Sequence, residues 1–182
     1  MEKLTVIQPV EVSQRLIDII NYSIKDYNYE IISSCEEIVN LKNKRILFSV
    51  ELGTTGINIE LYKILNKIAS EKNFMENSVG SIIINSQNEL YTRNVAREII
   101  FYANMAGCIF PGRPITEMTG SLNTFSTYKR KYNMNLIDIS YMECKKTVDR
   151  LMKFNTLKFI QPRVLTLYSG TEDSNSYAFW KL

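Results

Sequence analysis

Strand-like apolar runs alternate along this chain with stretches of helical apolar spacing, and that alternation restricts its fold more than anything else. Arg45–Val50 and Val79–Asn85 read as the continuous apolar segments that a strand covered on both faces requires. Leu4–Ile7 (stopped by Pro9), Tyr29–Ser33, Cys108–Phe110 and Val164–Tyr168 are shorter strand candidates. Leu16, Ile19, Ile20 and Ile24 recur at helical spacing and predict about four turns from Val12. Leu61, Ile64, Leu65 and Ile68 mark a second helix. Val95, Ile99, Tyr102 and Ala106 mark a third, with Gly107 where a helix end is expected. Ile137, Tyr141, Cys144, Val148 and Leu151 mark a fourth. The expected class is α/β: three layers, a mostly parallel central sheet with helices on both faces, one domain over residues 1–182.

In sheets of this kind, ligands sit in the crevice outside the carboxyl ends of the strands. Function is therefore expected in the loops at 51–58, 86–91, 111–125 and 169–176. In Glu51–Asn58, Gly53 and Gly56 admit close approach of a flat ligand or simply serve a tight turn, and Asn58 is placed to cap the next helix. The stretch Asn85–Thr92 gathers amides, hydroxyls and an aromatic ring at a strand's end, with Ser86, Gln87, Asn88, Glu89 and Tyr91 as the candidate contacts. That set suits the edge and face of a planar ring, or a capped helix start. Ser169, Thr171, Ser174, Asn175 and Ser176 form a hydroxyl-rich turn of the kind that cradles phosphate at a helix N-terminus, with Glu172 and Asp173 opposing it.

Composition narrows the chemistry. The chain has no histidine, which removes Ser-His-Asp and Cys-His nucleophilic systems, His-ligated metals and the usual general base near neutral pH. Cys35, Cys108 and Cys144 form no CxxC pair, so no metal centre or disulfide framework is expected, and reduced thiols in a cytoplasmic protein are the simple reading. No apolar run approaches the roughly 20 residues of a membrane span, and the first residues lead straight into strand-like sequence without a signal-peptide pattern. Residues 129–163 carry nine Lys/Arg against three Asp/Glu, interleaved or flanked by Tyr128, Tyr132 and Tyr141. A solvated helix face accounts for that run better than a nucleic-acid surface, because helical spacing turns Tyr141 toward the core.

Residues 45–125 resemble the NADPH-dependent FMN reductase group of the flavodoxin-like superfamily. The resemblance is carried by Arg45–Gly53, Gly80–Ser86 and Ala103–Pro114. It implies that the loops after the third and fourth strands hold a flavin ring, here Glu51, Leu52, Gly53, Thr54 and Asn58 together with Ser86, Gln87, Asn88, Glu89 and Tyr91. Tyr91 and Phe110 become candidates for apolar contact, and Arg113 for a nicotinamide-nucleotide phosphate. The family's phosphate loop is a Ser/Thr-rich turn after the first strand. Here that loop is Gln8–Ser13, with one hydroxyl, no glycine and one carboxylate. Ser169–Ser176 is the substitute at the other end of the chain, which makes the expected fold one rearranged at its termini. The implied function is an FMN-dependent NAD(P)H oxidoreductase, in a homodimer if subunits cover each other's flavin. The alternative is a cofactor-free flavodoxin-like binding or sensor protein with an eroded flavin site.

Overall fold

Five strands, β1 (Leu4–Ile7), β2 (Tyr29–Ile32), β3 (Arg45–Leu52), β4 (Ser78–Ser86) and β5 (Cys108–Ile109), pair in parallel in the order β2-β1-β3-β4-β5. The computed structural model describes residues 3–86, 90–116 and 133–154. Parallel neighbours need a crossover, and α1 (Gln14–Ile24), α2 (Ile59–Ser70) and α3 (Thr92–Met105) provide three of them. The link from β2 to β3 passes through a 3-10 turn at Cys35–Glu37, and α4 (Leu136–Lys153) is the last element described. The order reverses at β1, whose neighbours are β2 on one side and β3 on the other. The switch point of this topology therefore lies between β1 and β3.

The period-two alternation of strand side chains divides the core into two layers. Leu4, Val6, Leu47, Val79 and Ile83 meet Leu16, Ile19, Ile20 and Ile24 of α1, with Cys144, Val148 and Leu151 of α4. Ile7, Ile46, Phe48, Val50, Ile82 and Ile84 meet α2 and α3 through Leu61, Ile64, Leu65, Ile68, Val95 and Ile99. All nine residues of β4 are buried, which is why its sequence carries small and apolar residues on both faces and no charge. Each such Ile or Leu contributes about 1.5–3 kcal/mol by leaving water.

Three boundaries differ from the sequence expectation. The first helix spans 11 residues rather than four turns from Val12, because Ser13 ends the loop by capping it. β3 continues through Glu51 and Leu52, which pair with Asn85 and Ser86, so these two residues belong to the strand and not to the loop after it. The fifth strand is two residues long and broken. Cys108 and Ile109 pair with Ser78 and Val79, the chain leaves the sheet, and Ile115 returns to bridge Ile83. Phe110, at the break, turns its ring over Gly80, where a Cβ would stand 2.5 Å from it, and packs beside Phe48 at 6.2 Å between centroids. Gly107 follows the C-cap Ala106 at φ 97°, the left-handed position at which glycine ends a helix. Among the described residues no helix is long and apolar enough to cross a membrane.

Candidate functional site

On the face of the sheet that α1 and α4 cover, the side chains become polar toward the carboxyl ends of the strands. Leu47 is followed on that face by Ser49 and Glu51, and Ile83 by Asn85. Glu51 and Asn85 are register partners on adjacent strands, so their side chains lie side by side. Asn85 Nδ2 donates to Glu51 Oε1 at 2.9 Å and to Oε2 at 3.0 Å. Ser13 Oγ, arriving from the loop after β1, donates to Glu51 Oε2 at 2.7 Å. The same Oγ accepts the Leu16 N–H at 3.3 Å as the N-cap of α1, and lies 3.4 Å from Asn85 Nδ2. Gln8 Nε2 donates to Ser49 Oγ at 3.1 Å, tying the end of β1 to β3 just below.

Three chain segments thus converge on one carboxylate at the β1/β3 switch point. Glu51 remains partly exposed, whereas Asn85 is 5% exposed. Among the described residues Asn85 Oδ1 is the one buried side-chain polar atom without a hydrogen-bond partner. Exchanging its amide oxygen and nitrogen would turn the oxygen against the carboxylate, so the hydrogen-bond network fixes the orientation.

The neighbouring loop is held by Asn58, which is 3% exposed. Its Oδ1 accepts the Leu61 N–H at 2.9 Å, capping α2 as its sequence position predicts. Its Nδ2 donates to the Glu51 carbonyl at 3.0 Å and to the Val10 carbonyl at 3.2 Å. Both of its amide hydrogens and its oxygen therefore join three segments of this chain. Gly53–Ile57 close into a tight turn through Gly56 N–H to Gly53 O at 2.9 Å and Gly53 N–H to Ile57 O at 3.3 Å. Gly56, at φ 79°, does admit a flat group, but that group is the chain's own Tyr91: a Cβ on Gly56 would stand 2.5 Å from the ring. The two loops expected to flank a ligand touch each other there.

The other expected residues are distributed as follows. Gly53 and Thr54 are exposed at the tip of the turn, and Tyr91 is 43% exposed on its outer side. Leu52 is buried in the layer under α2 and α3, and Ser86 is buried at the end of β4. Phe110 belongs to the core at 2% exposure, so it is not available for apolar contact with a ligand, while Arg113 is exposed. Gln87, Asn88, Glu89, Ser169, Thr171, Ser174, Asn175 and Ser176 lie outside the described residues, as do Val164–Tyr168, Tyr128 and Tyr132. Tyr141 meets Tyr22 edge to face at 5.1 Å, and Lys145 and Lys146 of the basic segment pair with Asp26 and Glu143.

From sequence, Asn85 is the head of the polar stretch Asn85–Thr92 and Ser13 the one hydroxyl of a degenerate phosphate turn, and neither is among the candidate contacts. One signal for them was available: Ser49, Glu51 and Asn85 are polar residues on a single face toward the carboxyl ends of the strands. Two of the three thiols are removed as nucleophiles. Burial pushes the Cys108 and Cys144 thiols well above the usual range, which keeps them protonated. Among the described residues no group of three or more His, Cys, Asp or Glu is placed to hold a metal ion.

Solved structures share this architecture. A short-chain flavodoxin associated with a bacterial microcompartment is 10% identical, with a TM-score of 0.57 over 84% of this chain and 98% of its own. A Fusobacterium nucleatum flavodoxin mutant bound to flavin mononucleotide is 9% identical, with a TM-score of 0.55 over 82% of this chain and 96% of its own. A Streptococcus pneumonia flavodoxin is 8% identical, with a TM-score of 0.53 over 84% of this chain and 98% of its own. No family profile and no curated protein sequence matches the chain. The fold is flavodoxin-like.

Proposed function

We propose that this chain is a small-molecule-binding protein on a flavodoxin-like scaffold, with its ligand seated at the carboxyl ends of β1, β3 and β4. The observation that carries the reading is the Ser13–Glu51–Asn85 network at the β1/β3 switch point. A helix N-terminus at such a point is a natural anion site. At α1, however, the one hydroxyl of the preceding loop is spent on capping the helix and on Glu51, and the negative charge there already belongs to the chain.

These residues do not fit the phosphate of FMN. Two unit negative charges about 4 Å apart repel by about 4 kcal/mol at an effective dielectric constant of ~20, and a phosphate dianion fares worse. Gln8–Ser13 offers no glycine and no second hydroxyl to offset that repulsion.

The second reading is the FMN-dependent NAD(P)H oxidoreductase that the sequence resemblance implies. What favours it is the partly exposed ring of Tyr91 beside Gly56, at the rim where an aromatic face would flank a planar ring. It requires the phosphate to be held away from α1, and a homodimer covering the flavin belongs to this reading alone.

The visible absorbance spectrum of the purified protein, followed by addition of FMN, separates the two. The expected result is colourless protein that leaves added FMN fluorescence unquenched. Yellow protein that releases FMN on denaturation would overturn the first reading in favour of the second.

A further inference from the structure

The Ser13–Glu51–Asn85 site contains more acceptors than donors. Ser13 spends its hydroxyl hydrogen on Glu51. Asn85 directs its amide hydrogens at the same carboxylate, and Asn58 gives both of its own to backbone carbonyls. What remains is the Glu51 carboxylate, which has about four lone-pair sites in all, and Asn85 Oδ1, which has no partner among the described residues. Among those residues no Lys or Arg forms an ion pair with Glu51. A buried carbonyl left without a donor is destabilising, and a ligand that supplies the donor removes that cost.

We propose that this site selects a ligand bearing a primary ammonium or guanidinium group, held between the Glu51 carboxylate and Asn85 Oδ1. The inference rests on the small-molecule-binding reading above and specifies the chemistry of its ligand. Three features of the site require that chemistry. The free positions accept hydrogen bonds, so the ligand must donate. The unpaired charge is negative, so a cation gains where a phosphate or carboxylate loses. The acceptors lie on two adjacent strands, so the cationic group needs at least two N–H bonds diverging from one centre. Both an ammonium and a planar guanidinium meet these conditions, the first as a point charge and the second as a fork.

The test uses the full-length, 15N-labelled protein and follows the Asn85 side-chain amide with the Ser13 and Glu51 backbone amides. The protein is titrated separately with n-butylammonium chloride, methylguanidinium chloride, sodium phosphate and riboflavin, each against sodium chloride at matched ionic strength. At least one of the two cations should give saturable shifts at these three residues, and phosphate should give none. Glu51→Gln, which keeps the shape but removes the charge, should weaken that binding at least tenfold. Asn85→Ala should do the same and provides a second variant if Glu51→Gln does not fold. Tighter methylguanidinium binding identifies the fork, and tighter n-butylammonium binding the point charge. If neither cation shifts these resonances while riboflavin does, the ligand class is wrong and the binding reading stands. If no probe perturbs them, both fall.

Discussion

Asn85 gives its side-chain amide to both oxygens of Glu51, its register partner on the adjacent strand, at 2.9 and 3.0 Å. Replacing that amide with a second carboxylate tests how strongly the pair is coupled. Asn85→Asp should cost about 2–3 kcal/mol at neutral pH, because two like charges in a partly buried site repel. The deficit relative to wild type should shrink as pH falls through the carboxylate range and one group takes up a proton. Urea denaturation of both proteins at neutral and acidic pH measures it.

Asn58 caps α2 and ties that cap to the loops after β1 and β3. Asn58→Ala removes three hydrogen bonds at a buried position and should cost about 2–3 kcal/mol. Asn58→Asp retains the acceptor for Leu61 N–H but sets a buried carboxylate oxygen against the Glu51 and Val10 carbonyls, so its loss should be larger. Chemical denaturation of the two variants distinguishes the cap from the tie.

Gly56 carries two constraints, a φ of 79° and the Tyr91 ring 2.5 Å from where its Cβ would be. Gly56→Ala should therefore cost about 2–4 kcal/mol, of which the left-handed conformation accounts for about 1. In a Tyr91→Ala background the steric part should vanish and only the backbone part remain. A double-mutant cycle by thermal or urea unfolding reads the coupling, and additive losses would show that the ring yields freely.

Glu30 on β2 accepts from Lys3 at 2.7 Å, Lys44 at 2.8 Å and the Thr5 hydroxyl at 2.7 Å. These contacts, with Lys3 foremost, hold its carboxyl down at about 2. A depressed folded-state value means stability that is fully present above the unfolded value of 4.5 and is lost as pH falls toward about 2. Because the cluster is partly exposed, Glu30→Gln should cost only about 1–2 kcal/mol at neutral pH. The cost should approach zero near pH 2, as stability curves of the two proteins against pH would show.

The architecture was legible in the sequence wherever periodicity is strong. Arg45–Val50 and Val79–Asn85 are rich in apolar residues on both faces because helices cover both faces of β3 and β4, and each helix follows its apolar spacing. Asn58 was legible as a cap because an amide just before an amphipathic stretch has a local role. The site was less legible, since its bonds join residues 38 and 34 positions apart. Ser13 stands in a loop that reads, in isolation, as an eroded phosphate turn, and only the pairing of β1 with β3 brings it to Glu51. Phe110 carries no sequence mark that separates a core ring from a ligand-facing one. Its burial depends on the missing side chain of Gly80.

The break in β5 has a consequence for how the molecule meets others. Between its pairings with Val79 and with Ile83, the edge chain takes six residue steps where β4 takes four. Among the described residues this segment is the edge of the sheet, and an incoming strand aligned with Cys108 and Ile109 would be out of step by the time it reached Ile115, so it could not extend a continuous hydrogen-bonded ladder. The bulge that lets Phe110 reach Gly80 thus also guards this side of the sheet against joining the sheet of another molecule.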